Sequence, residues 1–93
     1  MRFEWDAHKA FTNFAKHGVS FAEATDVFYD ADAVEGFDEL HSVEENRFFI
    51  IGLSRQRLLF VVFAERPKDR IRIISARKAA KLERDVYERR IIQ

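Results

Sequence analysis

The chain has 93 residues, with 16 basic and 16 acidic side chains and no cysteine. A chain of this length buries about 60–65% of its unfolded surface, enough for one small core, so we expect a single domain over residues 1–93. The lack of cysteine excludes disulfides and thiolate metal sites. No apolar run approaches the roughly 20 residues that a membrane helix needs. The first residues also lack the apolar core of a signal peptide, and we therefore expect a cytoplasmic protein with no membrane contact.

Charge is distributed unevenly along the chain, although the net charge is zero. Residues 26–45 carry eight acidic side chains and no lysine or arginine, whereas residues 66–90 carry ten basic against four acidic side chains. Such asymmetry indicates a polyanionic partner for the basic part, an acidic surface elsewhere, or both. The alternative for the basic part is a helix with a solvated charged face.

The first third of the chain predicts a strand followed by two helices. Residues 2–5 alternate as a short strand does, and a helix over residues 7–17 follows behind a capping aspartate. Ser20 and Glu23 form a capping box, which predicts a second helix over residues 21–28. The apolar residues of the first helix recur at helical spacing and are expected to face the core: Ala7, Ala10, Phe11, Phe14 and Ala15.

The remainder predicts four strands and a final helix. The strands are expected near residues 33–37, 47–53, 58–65 and 70–75. Ser75 would then cap a helix over residues 76–90. The order β-α-α-β-β-β-β-α predicts an α+β fold, with an antiparallel sheet packed with two N-terminal helices and one C-terminal helix.

The first predicted helix carries a row of polar side chains that could bind and act on a phosphate. At about 100° per residue, four of them share one face, which we expect to lie opposite the apolar face: Lys9, Asn13, Lys16 and His17. Two ammonium groups, an amide and an imidazole can bind phosphate and move protons. The alternative is a solvated helix face whose cationic last turn favours the helix dipole.

Arginines mark the last predicted strand and the start of the final helix. Arg70 and Arg72 alternate with isoleucines, and an arginine there cannot be buried unpaired, so the pair lies at a sheet edge or faces a cleft. Arg77 falls in the first turn of the predicted helix, against the helix dipole. A phosphate bound at that N-terminus would remove the conflict. A salt bridge from Arg77 to the acidic loop or to Glu83 is the alternative.

Other kinds of site find little support in the sequence. His41 lies among acidic residues, where it could be a metal ligand or a base. No second histidine lies at ligand spacing, so no metal site is predicted and a surface histidine is the preferred interpretation. The three glycines are isolated and form no phosphate-binding loop, and no cofactor is expected.

Short motifs near both ends and in the middle of the chain carry a resemblance to a known family. They are Phe3-x-Trp5-Asp6-x-x-Lys9, Asn13-x-x-Lys16-His17-Gly18-Val19-Ser20-Phe21, His41, Glu45-x-Arg47, Ile51-Gly52 and Arg72-Ile73-Ile74-Ser75-Ala76-Arg77. In this combination and at this length they resemble the BrnT toxins, the toxin half of a bacterial type II toxin–antitoxin pair. The resemblance covers nearly the whole chain, and no single motif carries it alone.

The resemblance implies a RelE-like fold and a metal-independent endoribonuclease that inhibits translation. It also implies neutralisation by a BrnA-type antitoxin with a ribbon-helix-helix DNA-binding domain, through which the complex would bind operator DNA. The expected reaction is attack of the RNA 2′-OH on the adjacent phosphate. A base takes the hydroxyl proton, cations stabilise the phosphate charge, and an acid protonates the leaving 5′-oxygen.

Seven side chains receive roles from the residues and the resemblance together. The catalytic candidates are His17, Arg72, Arg77 and Lys9, and the substrate-binding candidates are Asn13, Lys16 and Arg47. A guanidinium matches the oxygens of a phosphate, so Arg72 and Arg77 take that role, with Lys9 in support. His17 is the candidate base or acid because an imidazole titrates near neutral pH.

Several alternatives stay open at this point. Glu45 and His41 are weaker candidates for the role of His17, and the sequence does not assign base and acid. The chain could be a toxin of the same fold that poisons a protein target such as gyrase, or a non-catalytic interaction module. The polar row of the first helix suits RNA better than a protein surface, which favours the nuclease. Ile91 and Ile92 are one candidate contact for the antitoxin.

Overall fold

The computed structural model describes residues 1–92, apart from the side chains of His41 and Ile92. The strands are β1 (Arg2–Glu4), β2 (Val34–Phe37), β3 (Phe48–Leu53), β4 (Leu58–Arg66) and β5 (Arg70–Lys78). The helices are α1 (Ala7–His17), α2 (Phe21–Ala24) and α3 (Lys81–Ile92), with 3-10 helices at Thr25–Tyr29 and Glu39–His41. The predicted α+β class, with two N-terminal helices and one C-terminal helix, is confirmed.

The strands form one sheet in the order β1-β5-β4-β3-β2. β2, β3, β4 and β5 pair antiparallel as predicted, whereas β1 pairs in parallel with β5, so the sheet is mixed. Ser75 lies opposite Val62 and Ile73 opposite Phe63, which leaves Ile74 without an opposite residue. This bulge lets Ile73 and Ala76 face the same core although they are three positions apart, an odd spacing that would put them on opposite faces of a regular strand.

The two faces of the sheet are covered unequally. One face packs against α1, α2 and the first 3-10 helix around the main core: Val19, Phe21, Ala24, Val27, Ile50, Leu59, Val61, Phe63, Ile73 and Ala76. On the other face, α3 covers a smaller cluster: Ile51, Leu58, Ala79 and Tyr87. The part of that second face beside β1 and the Arg66–Arg70 end of β4 and β5 lies away from this cluster, and we call it the open half.

Helix α1 is rotated about its axis relative to the prediction. Asn13 is its buried residue, at 7% exposure, whereas Phe11 and Phe14 are 74% and 56% exposed. Of the predicted apolar contact face only Ala10 packs against the core, so that prediction is wrong for Phe11 and Phe14, and so is the prediction that Asn13 projects outward with the lysines. Lys9 and Lys16 are exposed as predicted.

The hydrogen bonds of Asn13 explain this rotation. Its Nδ2 donates to the backbone oxygens of Ala76 at 2.8 Å and Val19 at 3.0 Å, and its Oδ1 accepts from the Ala76 N–H at 3.2 Å. β1 pairs with β5 only as far as Arg72, so β5 has a free edge beyond it. The amide of Asn13 takes the place of a neighbouring strand there, which satisfies backbone groups that would otherwise be buried unpaired.

The predicted final helix begins too early. β5 continues to pair with β4 as far as Lys78, and α3 begins only at Lys81. Ser75 therefore caps nothing. Instead the Glu83 carboxylate accepts the Ala80 N–H at 2.7 Å, as the last residue of a capping box does. Pairing of β5 with β4 outweighs the local helix signal here. The sequence pattern could not predict this outcome, because it contains no information on contacts between distant strands.

The C-terminal helix is anchored at its middle by Tyr87. The Tyr87 hydroxyl donates to Asp30 Oδ2 at 2.6 Å, and the same oxygen accepts the Leu53 N–H at 2.8 Å. Burial raises the pKa of Tyr87, and the hydrogen bond to Asp30 adds to this shift. One carboxylate thus links α3, the end of β3 and the loop before β2.

A partly buried ion pair between Arg57 and Glu23 fixes the turn between β3 and β4 against α2. Arg57 donates to the Glu23 carboxylate at 3.0 and 2.8 Å and to the Gly18 carbonyl at 2.9 Å. The Ser54 hydroxyl donates to Glu23 at 2.8 Å. The Arg57 hydrogen bonds, with help from Ser54, hold the pKa of Glu23 below its usual value of 4.5.

Replacing Asn13 by alanine should destabilise the fold. Asn13→Ala leaves one N–H and two carbonyl groups without their partner, at a cost of roughly 2–4 kcal/mol. Urea unfolding followed by circular dichroism measures this directly. Thr12→Ala, at an exposed neighbouring position, is the control and should change stability little. An Asn13→Ala protein as stable as the wild type would contradict the edge-bonding role.

Stability should fall in acid, and Glu23 should account for part of the loss. A carboxyl whose pKa is lower in the folded state stabilises the fold above its unfolded pKa, and that contribution is lost as the pH falls below 4.5. Glu23→Gln should therefore flatten the decline of the melting temperature in this range. Glu35→Gln, at an exposed position in β2, is the control. Parallel declines for the wild type and Glu23→Gln would contradict the assignment.

Candidate functional site

Four arginines gather on the open half of the sheet. Ile71 and Ile73 pack toward the main core, so Arg70 and Arg72, which alternate with them, point to the opposite face. Arg66 lies opposite Arg70 across the β4–β5 turn. With Arg47, which precedes β3, and the carboxylates Glu4 and Glu45, these residues form what we call the arginine patch.

Glu4 orients two of these arginines. It accepts from Arg70 at 2.8 Å and from Arg72 at 3.2 Å, one arginine on each carboxylate oxygen. Arg70 also donates to the Pro67 carbonyl at 3.0 Å. Arg72 is a third exposed, and neither its Nε nor its Nη2 bonds any described residue. Arg72 is thus held in place by one bond while most of its donors remain available.

Glu45 holds the other side of the patch. Its Oε2 lies 2.9 Å from Arg66 Nη2, and its Oε1 lies 3.8 Å from Arg47 Nε. The Arg47 Nε is buried and has no hydrogen-bond partner among the described residues. Two carboxylates therefore face four guanidinium groups, which leaves a local excess of positive charge.

Lys9 lies in the first turn of α1, behind the capping residue Asp6. Asp6 caps the helix by accepting the Lys9 N–H at 2.9 Å. This hydrogen bond lowers the pKa of Asp6, and the nearby charges of Lys9 and Arg72 lower it further. The charges of two predicted catalytic cations, one from α1 and one from β5, thus act on the same carboxylate.

Arg77 lies on the same face of β5, but its guanidinium is already paired. It donates to both oxygens of Glu83, at 2.8 and 2.7 Å, and stacks 4.4 Å from the ring centre of Phe60. Glu83 raises the pKa of Arg77, so Arg77 is cationic throughout the physiological range. The prediction that Arg77 lies in the first turn of a helix is wrong, because Arg77 belongs to β5. The phosphate site predicted at that helix N-terminus is therefore wrong too. The alternative of a salt bridge to Glu83 is what the structure contains.

His17 and Lys16 lie at the other end of α1. A rise of about 1.5 Å per residue separates His17 from Lys9 by roughly 12 Å along the helix axis. His17 is half-buried, and its ring makes no hydrogen bond with a described residue. Of the predicted site residues, the structure therefore places Arg72 and Arg47 on one patch, whereas Lys16 and His17 lie at the far end of α1 from Lys9. The side chain of His41 lies outside the described residues.

Sequence reasoning missed the orienting carboxylate and one of the arginines. Arg66 and Arg70 flank the three turn residues 67–69. Residues that lie opposite each other across a hairpin turn point to the same face of the sheet, so the sequence could have predicted that these two arginines lie together. Glu4 meets Arg72 only through the parallel pairing of β1 with β5, which no local pattern indicates.

The chemistry available to this patch follows from its donors. Guanidinium groups bind phosphate oxygens in a fixed geometry, and carboxylates beside them can accept a proton. Among the side chains that the structure describes, which do not include that of His41, no group of three or more acidic or histidine residues is arranged to hold a metal ion. No helix in that range is long and apolar enough to cross a membrane.

Comparison with known proteins identifies the family. A family model described as the ribonuclease toxin BrnT of type II toxin–antitoxin systems matches residues 5–83. The fold is similar to the crystal structure of the Brucella abortus ribonuclease toxin BrnT, with a TM-score of 0.67 and 26% identity, covering 87% of this chain and 99% of that one. None of the curated proteins matches. The chain therefore belongs to the BrnT family, the ribonuclease toxins of type II toxin–antitoxin systems.

Proposed function

We propose that this chain is an endoribonuclease that cleaves single-stranded RNA at the arginine patch, through the RNA's own 2′-OH and without a metal ion. The observation that carries this proposal is Arg72. It is oriented by Glu4 at 3.2 Å on an uncovered part of the sheet, and its Nε and Nη2 bond no described residue. A hydrogen-bond donor that is held in place and has no other acceptor can stabilise the negative charge that grows on a phosphate during the reaction.

In the proposed reaction, the 2′-oxygen attacks the adjacent phosphorus and the bond from phosphorus to the 5′-oxygen breaks. The products are a 2′,3′-cyclic phosphate and a 5′-hydroxyl. Arg72 stabilises the phosphoryl oxygens, with Lys9 in support from the start of α1. Lys16 and Arg47 bind the RNA strand on either side, and the positive excess of the patch attracts it.

Proton transfer has two candidates. His17 is favoured by its chemistry, but a substrate that reaches both His17 and Arg72 must extend along α1. Glu4 is favoured by position, because it hydrogen-bonds Arg72 directly. We assign the role to His17 and keep Glu4 as the rival, since a carboxylate already bonded to two arginines has less capacity for a proton.

Arg77 and Asn13 act as positioning residues in this proposal. Arg77 donates hydrogen bonds to Glu83 and so holds the start of α3 in place. This contact lies beside the stacked rings of Phe49 and Phe60, whose centres lie 5.5 Å apart. Asn13 holds α1 against β5 and thereby sets where Lys9 lies. Substitution of either residue would act on cleavage through the geometry of its neighbours.

The biological setting is part of the same proposal. Cleavage of RNA would inhibit translation in the cytoplasm. A BrnA-type antitoxin with a ribbon-helix-helix domain would neutralise the toxin and bring the complex to operator DNA. The family's description as ribonuclease toxins supports this setting. Poisoning of a protein target such as gyrase, and a purely non-catalytic role, have no comparable support.

Removing the Arg72 side chain should abolish most cleavage. We expect Arg72→Ala to lower the rate on a defined single-stranded RNA by about a hundredfold. The melting temperature should change little, because a partly exposed ion pair adds only about 0–1 kcal/mol. Arg55→Ala is the matched control, since it removes the same charge. Arg55 lies in the β3–β4 turn, is 90% exposed and pairs with Asp26. Equal rates for the two variants would remove Arg72 from the site.

Proton transfer and metal independence can be measured in the same assay. The wild type should cleave in excess EDTA and leave 2′,3′-cyclic phosphate ends. His17→Ala should lower the rate about a hundredfold or more, and Glu4→Gln should lower it less. The opposite ranking would transfer the role to Glu4. Cleavage that stops in EDTA and returns with added magnesium would rule out the metal-independent mechanism.

A further inference from the structure

Three side chains form a continuous stack on the second face of the sheet, next to the cluster that α3 covers. The Arg77 guanidinium lies 4.4 Å from the ring centre of Phe60. The rings of Phe60 and Phe49 lie 5.5 Å apart and are nearly parallel, at 13°. Arg77 is itself held by both oxygens of Glu83. Phe49 is therefore the end of a stack whose other end is fixed by an ion pair.

Gly36 provides the space that the Phe49 ring occupies. It lies opposite Phe49 in the pairing of β2 with β3, and a Cβ atom on Gly36 would overlap the far end of the ring. The ring is thus restrained by Phe60 and by β2 together. A ring restrained in this way loses little conformational freedom when another group stacks on it.

The strand places Phe49 beside the arginine patch. The Arg47 carbonyl accepts the Asp38 N–H at 2.8 Å, so the pairing of β2 with β3 continues as far as Arg47. Arg47 and Phe49 are two positions apart, which puts their side chains on one face with their backbones roughly 7 Å apart. Phe60 lies opposite Ile51, on the other side of Phe49 from Arg47. Phe49 therefore stands between the stack and the patch.

The row of the sheet that contains Arg47 also contains Arg72. Arg72 lies opposite Ala64 in the pairing of β4 with β5. The pairing of Phe48 with Phe63 puts Arg47 on the other side of Ala64. A phosphate bound by these two arginines would thus lie one row, or roughly 7 Å along the strands, from Phe49.

The other phenylalanines of the sheet belong to the opposite face. Phe37 contacts Phe48 with 5.7 Å between the ring centres. Those that pack in or against the main core are Phe3, Phe48 and Phe63. Among the described residues of the sheet, Phe49 and Phe60 are therefore the phenylalanines that share a face with the arginine patch.

We propose that Phe49 stacks on a base of the bound RNA, next to the phosphate at the arginine patch. This inference rests on the proposed function, because it requires single-stranded RNA at the patch. Unpaired bases stack on aromatic side chains, and Phe49 is only half-buried. Its ring is restrained and lies beside cations that bind phosphate, so the base and the phosphate of one strand can be held together. A purine offers a larger stacking surface than a pyrimidine, so this position favours a purine.

The test measures the binding of a short RNA that carries 2′-fluoro groups and therefore cannot be cleaved through its own 2′-OH. A matching set of RNAs lacks one base each, at successive positions. Fluorescence anisotropy gives the affinities of the wild type, Phe49→Leu, Gly36→Ala and the control Phe37→Leu, and melting temperatures verify that each variant is folded. The control removes the same ring from the opposite face, where Phe37 is 47% exposed.

Deleting the base at one position should weaken binding to the wild type about tenfold. Phe49→Leu should bind the complete RNA about fivefold more weakly than the wild type does, because leucine retains part of the apolar contact. It should bind the complete and the base-deleted RNA about equally, since one stacking partner is already missing. Gly36→Ala, whose added methyl displaces the far end of the ring, should behave in the same way, and Phe37→Leu should behave like the wild type.

A Phe49→Leu protein that distinguishes the two RNAs as the wild type does would overturn the proposal, even if it binds both more weakly. A residue with a merely structural role lowers both affinities by the same factor. No effect of base deletion on the wild type, or equal loss of discrimination in Phe37→Leu, would overturn it too. If Phe49→Leu does not fold, the ratio of the two affinities of Gly36→Ala decides in the same way.

Failure of the proposed function would look different. A wild type whose discrimination depends on Phe49, but which leaves natural RNA intact, would contradict the nuclease proposal and support base stacking. A wild type that cleaves natural RNA through Arg72, but binds complete and base-deleted RNAs equally, would overturn the stacking proposal alone.

Discussion

The hydrogen bonds of one buried amide determine how the two halves of the fold meet. β5 has a strand on both sides only over its first three residues, and its edge would otherwise face α1 with unpaired backbone groups. Asn13 bonds the N–H and the carbonyl of Ala76 and also the Val19 carbonyl. An amide can do this because it carries both donors and an acceptor. The rotation of α1 and the exposure of its phenylalanines both follow from that contact.

Carboxylates in this protein hold cationic side chains in fixed positions at several places. Glu4 orients Arg70 and Arg72, Glu45 faces Arg47 and Arg66, and Glu83 binds Arg77 through both oxygens. The pairs differ in how much of the arginine they use. Arg77 is bonded on both terminal nitrogens, whereas Arg72 is bonded on one. A guanidinium that is already oriented and still has free hydrogen-bond donors loses little conformational freedom when a phosphate binds. For phosphate binding, this difference between Arg72 and Arg77 is therefore more important than the charge that they share.

Local signals in the sequence predicted much of the fold. The caps at Asp6 and Ser20 and the left-handed Gly18 are all present as expected, with a φ of 70° at Gly18, because each depends only on neighbouring residues. Errors arose where a distant strand decides the outcome. The pairing with β4 extends β5 through Arg77, and the free edge of β5 draws Asn13 inward. Of the candidate site, the arginines of β5 could be predicted from strand alternation, but their meeting with Glu4 could not, since it depends on a parallel pair of strands at opposite ends of the chain.

Glu83 serves two elements at once, since one of its oxygens accepts the Ala80 N–H while both bind Arg77. The two residues between β5 and α3, Ala79 and Ala80, therefore form a link whose length cannot vary. An inserted or deleted residue in this link would leave the local cap of Glu83 on the Ala80 N–H intact, but it would shift α3 relative to β5 and separate Glu83 from Arg77. Most surface connections accept changes in length during evolution. This one is constrained as strictly as a core position, although Ala80 itself is exposed.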